Sequence, residues 1–252
     1  MKQSGILSGL PFFAEIFKYL ECNLTWESEA IEGTYITYTG TPIKLCTVTG
    51  PVRAILLGER TSLNILSRCS GVSTSSHEIT SKARGLGYKG LIAGTRKTTP
   101  GFRLIEKYGL LCGGAATHRL DLGQMVMLKD NHIWSCGSIT NAVKKAKSAT
   151  GYTSKIEVEC RSFEEGCEAC EAGADIIMLD NYTGEALKVD AKKLKDKYPH
   201  VTMEASGGIG IDTVGDYICD SVDVISSGGL TQGYSCLDFS LKIRRSLKIQ
   251  QK

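Results

Sequence analysis

Short apolar runs alternate with polar, helix-like stretches along most of the chain. Four of these runs follow one another after Lys155: IEVEC (156–160), DIIMLD (175–180), VTMEAS (201–206) and VDVISS (222–227). Earlier runs of the same kind are GLIAGT (90–95) and MVMLKD (125–130), and residues 110–114 are a weaker candidate. Short apolar strands that alternate with helices predict βα units and a parallel sheet. About seven strands do not complete an eightfold barrel, so we expect an open, incomplete α/β barrel.

The first part of the chain has a different pattern. Residues 5–17 are amphipathic, residues 34–48 alternate in the manner of strands, and residues 60–71 continue as an amphipathic helix. We therefore predict an α+β domain over residues 1–85 and the barrel over residues 86–232. Residues 233–252 are expected to form an amphipathic helix that packs back on the first domain.

Composition excludes several classes of protein. The chain of 252 residues is 42% hydrophobic and 23% charged, which is ordinary for a globular protein and argues against disorder. Its net charge of +3 is spread evenly, so we expect no nucleic-acid partner. No apolar run approaches the roughly 18 residues of a membrane span, and we expect no membrane partner.

The ten cysteines are scattered along the chain and are not preceded by a secretory signal. They are best interpreted as reduced thiols in a cytoplasmic protein. Cys167 and Cys170 form a C-x-x-C pair, but no second pair of ligands follows at zinc-finger spacing. We interpret the pair as small thiols on a helix face.

Basic side chains are concentrated beside glycines between positions 94 and 132. They occur in GTRKTTPGFR (94–103), GGAATHR (113–119) and MVMLKDNH (125–132). Runs of charge are usually solvated surface, which is the alternative here. These basic residues end short apolar runs, however, and this favours a pocket that binds carboxylates or phosphates.

Polar residues also stand at the carboxyl ends of the predicted strands: Lys129, Glu159, Asp180 and Ser206. In parallel α/β folds this rim is where active sites form, so we expect one site to gather them. Glu159 and Asp180 could bind ribose hydroxyls, hold Mg²⁺, or stabilise a developing oxocarbenium ion. They could instead neutralise Lys129 and the arginines, and both roles can coexist.

Glycine pairs follow two of the late strands, in ASGGI (205–209) and SSGGL (226–230). A single pair indicates only a tight turn. Two pairs at the ends of consecutive late strands favour phosphate binding, because glycine allows backbone N–H groups to approach a phosphate closely.

Taken together, seven strings resemble quinolinate phosphoribosyltransferase: GERTSLNILSRCSG (58–71), GTRKTTPGFRLIEKYGLLCGGAATHR (94–119), MVMLKDNH (125–132), IEVEC (156–160), IIMLDN (176–181), EASGGI (204–209) and DVISSGGLTQ (223–232). The resemblance covers the chain from about Gly5 onward. It implies an N-terminal α/β sandwich, an open α/β barrel, and transfer of a phosphoribosyl group to quinolinate. The products would be nicotinate mononucleotide, pyrophosphate and carbon dioxide, on the de novo route to NAD.

The resemblance also implies roles for individual residues. Quinolinate carboxylates would contact Arg96, His118, Arg119 and Lys129, with Lys97 in the cationic lining. Glu159 and Asp180 would lie near the ribose and the Mg²⁺ that accompanies phosphoribosyl pyrophosphate, and with Lys129 they are the expected catalytic residues. The phosphate loops would contain Ser206, Gly207, Gly208 and Gly228.

A homodimer with shared active sites is implied as well, in which Arg60 reaches the neighbouring subunit's site; assembly into a trimer of dimers is left open. Family members usually have a longer N-terminal region, so the sandwich domain is expected to be shortened here. One alternative is therefore a non-catalytic or impaired subunit of the same family. Another is the related phosphoribosyltransferase-like protein associated with molybdate transport, although the full TRKTTPG, THR and KDNH set argues against it.

Overall fold

The computed structural model describes residues 1–244, and its N-terminal part combines two helices with two small antiparallel sheets. The helices are α1 (Leu10–Tyr19) and α2 (Val52–Gly85). One sheet pairs β1 (Gly5–Ile6) with β3 (Tyr35–Ile36), and the other pairs β2 (Asn23–Trp26) with β4 (Cys46–Thr49). Phe13 and Phe17, one helical turn apart, face the core between α1 and α2.

The second part of the chain is a parallel sheet flanked by helices. Its strands are β5 (Leu91–Ala93), β6 (Val126–Leu128), β7 (Ile156–Cys160), β8 (Ile176–Asp180), β9 (Thr202–Ser206) and β10 (Val224–Ser226). Its helices are α3 (Arg103–Cys112), α4 (Asp130–Cys136), α5 (Ile139–Thr150), α6 (Phe163–Ala172) and α7 (Gly184–Lys197). The strand order is β5-β10-β9-β8-β7-β6. Within residues 1–244 the edge strands β5 and β6 do not pair with each other, in agreement with the predicted open barrel.

The two faces of this sheet differ in chemistry because side chains alternate along each strand. On β7, Ile156, Val158 and Cys160 pack into the core beneath the helices. Glu157 and Glu159 therefore lie on the opposite, inner face. The same alternation on β9 places Thr202, Glu204 and Ser206 on the inner face, whereas on β8 only Asp180, at the end of the strand, is a polar residue on that face.

Two predictions about secondary structure are wrong. Residues 110–114, the weak seventh strand, are the end of α3 and the turn after it, which leaves six strands. Glu106, Lys107 and Leu110 are buried on one side of α3, which is helical spacing. Within residues 1–244, an isolated bridge between Ala93 and Ala116 extends the sheet at this point.

The C-terminal segment is the second correction. Residues 234–244 contain no helix, and residues 245–252, on which the rest of that prediction falls, lie outside the described part. Leu237 and Phe239 are buried against the N-terminal core, which is the alternation of an extended chain. The segment also bonds to its neighbours: the Leu237 N–H donates to the Ser67 carbonyl, and the Lys2 N–H donates to the Asp238 carbonyl.

Helix α2 contributes to both cores. Leu63 and Leu66 lie in the N-terminal core, whereas Val72 and Ile79 lie in the core of the parallel sheet. The division at residue 85 remains a prediction. No helix within residues 1–244 combines the length and the apolar character that a membrane span requires.

Candidate active site

The inner face of the sheet carries the predicted acidic residues at its carboxyl end. Glu159 of β7 lies in register with Met178 of β8, and Asp180 of β8 lies in register with Ser206 of β9. Because residues in register face the same side of a sheet, Glu159, Asp180 and Ser206 belong to one surface. The structure therefore gathers the rim residues as expected.

Lys129 joins this group from the loop between β6 and α4. Its Nζ lies 3.0 Å from Glu159 Oε1. The backbone of Lys129 is fixed by the first turn of α4, since its N–H donates to His132 Nδ1 at 3.1 Å. His132 thus caps a helix, and the helix start directs Lys129 toward Glu159.

The pKa of Asp180 is shifted by burial and by the charges around it. Burial raises its pKa, and so does nearby Glu159, whereas Lys129, Arg161 and Lys97 act in the opposite direction. A cavity of about 370 Å³ opens beside it, lined by residues 161, 180–183 and 186. The cavity therefore brings together one carboxylate, Asp180, and one cation, Arg161, while Glu159, Lys129 and Lys97 act on Asp180 from outside its lining.

The loop after β5 carries Arg96 and Lys97, and both side chains are exposed. Its backbone is held at two points. The Thr231 hydroxyl donates to the Lys97 carbonyl at 2.7 Å, and the Thr99 N–H donates to buried Glu106 at 2.9 Å. The loop is thus anchored and presents two exposed cationic side chains.

Arg119 lies on the segment after the Ala93–Ala116 bridge. It is half-buried, and its Nη1 donates to the Met125 carbonyl at 3.1 Å. Burial lowers the pKa of Arg119, and the charge of Arg96 lowers it further, so the two guanidinium groups are near each other. Two arginines with this mutual repulsion suit a ligand with more than one carboxylate.

His118 is turned toward the sheet. Its Nε2 lies 3.4 Å from Glu204 Oε2 and 3.6 Å from Glu157 Oε2. Burial alone would lower the pKa of His118, but the two glutamates outweigh it and raise the pKa to about 9. The Arg119 N–H donates to Nδ1 at 2.7 Å, a hydrogen bond that the neutral ring accepts and the protonated ring cannot. With either charge state, Nε2 carries a proton toward the glutamates.

Three buried residues at this site were not predicted from the sequence: Lys107, Glu157 and Glu204. Lys107 donates through Nζ to the Thr117 carbonyl and, at 3.2 Å, to that of Arg119. The two glutamates could have been found from alternation, because each stands two positions before a predicted rim residue of its own strand. Residues two apart on a strand share a face.

The glycine loops adjoin the acidic group. Gly207 has φ +105°, and a Cβ built there would meet the Asn181 backbone nitrogen at 2.6 Å. A Cβ on Gly228 would meet Lys97 Cδ at 3.1 Å. The loops after β9 and β10 therefore pass close to Asn181 and Lys97, respectively.

Arg60 is separate from these residues. It is exposed on α2 and makes no hydrogen bond or ion pair with any residue among those the structure describes. Exposed Leu56 and Leu57 lie on the same helix, Leu56 one turn before it.

The protein is an open α/β barrel with a group of cationic residues beside a Lys–Glu–Asp group. This arrangement is typical of an enzyme that acts on small anionic substrates. Models of the N-terminal and C-terminal domains of "Quinolinate phosphoribosyl transferase" match residues 1–70 and 72–242, respectively. The chain belongs to the quinolinate phosphoribosyltransferase family.

Individual relatives agree with this assignment. The chain is 51% identical to a nicotinate-nucleotide pyrophosphorylase [carboxylating] of Dictyostelium discoideum, over 97% of this chain and 85% of the relative. It is 48% identical to the protein of that name from Homo sapiens, over 96% of this chain and 80% of the relative. The crystal structure of NadC from Streptococcus pyogenes superposes with a TM-score of 0.87 at 34% identity, covering 96% of this chain and 82% of NadC.

Proposed function

We propose that this protein transfers the phosphoribosyl group of phosphoribosyl pyrophosphate to quinolinate in de novo NAD biosynthesis. The products are nicotinate mononucleotide, pyrophosphate and carbon dioxide. The observation that carries the proposal is the convergence of a cationic pocket and the Lys129–Glu159–Asp180 group on one rim of the barrel. Relatives named nicotinate-nucleotide pyrophosphorylase [carboxylating] support it.

Quinolinate has two adjacent carboxylates on a pyridine ring and needs several cations to replace the water it loses. Arg96 and Arg119 lie close enough for the charge of one to lower the pKa of the other, and they are the proposed partners of these carboxylates. Lys97 and Lys129 extend the positive lining toward the acidic group. His118 belongs to the same wall, and its ring is directed into the sheet.

The phosphoribosyl end is assigned to the neighbouring loops. Backbone N–H groups at Ser206, Gly207, Gly208 and Gly228 are the proposed phosphate contacts, because glycine lets a phosphate approach the main chain closely. Glu159 and Asp180 then lie beside the ribose.

The chemistry follows from this arrangement. The bond between the ribose C1 and the pyrophosphate oxygen breaks, and the pyrophosphate leaves with the electron pair. Positive charge develops on the ribose, where Glu159 and Asp180 are fixed negative charges that stabilise it. The pyridine nitrogen bonds to C1. The resulting pyridinium accepts the electron pair of the bond to the 2-carboxylate, carbon dioxide leaves, and a proton adds at that carbon.

Mg²⁺ is proposed as the ion that accompanies phosphoribosyl pyrophosphate. The residues fit it in part: Glu159 and Asp180 supply carboxylate oxygens on one surface, although one oxygen of Glu159 already accepts from Lys129. Mg²⁺ is usually held by one or two carboxylates together with substrate phosphates, so these two ligands suffice. When bound, the ion would neutralise charge on the pyrophosphate.

We propose a homodimer with shared sites, in which Arg60 reaches its partner's pocket, and a trimer of dimers as a possible larger assembly. Support comes from the exposed apolar residues Val52, Leu56 and Leu57 around Arg60 on α2, a surface that a second subunit could cover. We also propose a cytoplasmic location, because all ten cysteines are free thiols.

The test is an assay of nicotinate mononucleotide formation by the purified chain with quinolinate, phosphoribosyl pyrophosphate and Mg²⁺. Isothermal titration with quinolinate runs beside it. A catalyst binds quinolinate and releases product in proportion to enzyme. A non-catalytic subunit would release none, and a molybdate-associated relative would not bind quinolinate; either result would overturn the proposal.

A further inference from the structure

Two buried glutamates lie one layer below the proposed substrate residues. Glu157 is 0% exposed and Glu204 is 3% exposed. Three of their carboxylate oxygens have no hydrogen-bond partner among the described residues: both oxygens of Glu157, and Oε1 of Glu204. Burying a carboxylate without a partner is costly. These two side chains therefore require a donor group close to them.

His118 is that group. Its Nε2 faces both carboxylates at 3.4 and 3.6 Å, and within residues 1–244 no lysine or arginine forms an ion pair with either glutamate. The elements converge through topology: β7 and β9 are alternate strands that flank β8, and His118 follows the bridge at Ala116. Alternate strands supply the side chains of one interior layer in barrels of this kind.

The backbone around His118 is constrained as well. His118 has φ +56°, a left-handed conformation that a residue with a side chain adopts at a cost. Lys107 donates to the carbonyls of Thr117 and Arg119, one on each side of His118. The Arg119 N–H is fixed by His118 Nδ1. These hydrogen bonds together fix the backbone position from which the Arg119 side chain extends.

We propose that Glu157 and Glu204 are positioning residues that act through His118. They anchor the Nε2–H at the inner face of the sheet and thereby fix the segment that presents Arg119 to a substrate carboxylate. This inference rests on the proposed function, because Arg119 is assigned to quinolinate only there.

A metal ion is the competing explanation. The ligand atoms of the three side chains lie within 4.8 Å of one another. A metal bound at Nε2 requires a proton on Nδ1 of the neutral ring, and the Arg119 N–H donates to that nitrogen instead. The geometry therefore points to a polar cluster in which the Nε2–H faces the two carboxylates.

Glu204→Gln and Glu157→Gln test the proposal, with Glu164→Gln on the exposed side of α6 as the matched control. We expect each buried variant to raise the KM for quinolinate about 10- to 100-fold, as loss of a charged hydrogen bond does. The KM for phosphoribosyl pyrophosphate should change less than about twofold. In a His118→Asn background, Glu204→Gln should add almost nothing, because residues that act through one group are non-additive.

Equal rises of both KM values, or additive effects in the double variant, would overturn the proposal. So would a metal that copurifies in stoichiometric amount and whose removal abolishes quinolinate binding. A further measurement does not depend on catalysis. The ring nitrogen resonances of His118, assigned by their loss in His118→Asn, should shift in Glu204→Gln and stay in place in Glu164→Gln. An unchanged resonance refutes the positioning role, whereas absent turnover in the wild-type chain refutes only the proposed function.

Discussion

Arg68 of α2 and Glu106 of α3 form a buried ion pair, with Arg68 Nη2 2.8 Å from Glu106 Oε1 and side chains 2% and 0% exposed. Arg68 also donates to the carbonyl of Thr231 at 2.8 Å. Glu106 accepts from the backbone N–H and the hydroxyl of Thr99. The pair therefore ties the long helix to the loop that carries Arg96.

We expect Arg68→Met to lower the free energy of unfolding by about 3–5 kcal/mol, because it leaves Glu106 as an unpaired buried charge. Replacing Glu106 with Leu in the same chain should restore part of the loss, since no charge then remains buried. Urea unfolding measures both, with Lys192→Met as the control for an exposed ion pair with Asp196. Equal losses in Arg68→Met and Lys192→Met would contradict this account.

The second prediction concerns the two arginines of the pocket. Arg119→Ala or Arg96→Ala should each cost about 2–4 kcal/mol in kcat/KM for quinolinate, because each removes one partner of a desolvated carboxylate. Steady-state kinetics with each substrate varied in turn gives the values. Near-normal kinetics in both variants would remove these residues from the site.

The third prediction is a pH dependence that originates at Lys107. Burial, together with the nearby arginines, lowers the pKa of this lysine to about 8. As pH rises through about 8, the folded protein loses this charge, and the KM for quinolinate should rise. The unfolded lysine keeps its proton up to pH 10.5, so loss of the proton from the folded state favours folding between those values.

Measuring the KM from about pH 7 to about pH 9 in the wild-type chain and in Lys107→Met checks this origin. The variant should begin at a higher KM and show a flatter curve. Lys192→Met, which changes an exposed lysine, should follow the wild-type curve. A variant curve as steep as that of the wild type would assign the dependence to another group.

Gly207→Ala provides a fourth prediction. Its φ of +105° and the 2.6 Å approach of a new Cβ to the Asn181 nitrogen mean that the loop must move. We expect a higher KM for phosphoribosyl pyrophosphate and a lower Tm. Gly210→Ala is the matched control, because a Cβ there meets nothing within 4 Å. Equal KM and Tm values in the two variants would show that the close approach at Gly207 affects neither substrate binding nor stability.

The six strands and the rim residues could be predicted because both follow from local pattern. The apolar residues of IEVEC predict a buried strand, and the rim lies where each strand ends. The predicted ranges contain β5 to β10 as the structure has them. Glu159 and Asp180 needed no long-range information beyond parallel pairing.

Alternation could have placed Glu157 and Glu204 beneath the rim, but their contact with His118 could not be predicted in the same way. His118 contacts Glu157 and Glu204 only because of strand order and register, which relate residues far apart in the sequence. The prediction of a C-terminal helix was wrong for a different reason. Leu237 and Phe239 stand two apart, and this extended spacing was interpreted as part of a helix.

The last prediction concerns Arg60, which is exposed on α2 and has no partner among the residues that the structure describes. If a twofold dimer brings each Arg60 to its partner's pocket, the same residue is exchanged in both directions. Arg60→Ala chains and Lys129→Ala chains should then each be inactive. Mixing them should restore activity, because about half of a random dimer population is mixed and each mixed dimer contains one site with both residues intact. Native mass spectrometry shows that subunits have exchanged, and no recovery after exchange would mean that Arg60 acts within its own chain or has no part in the reaction.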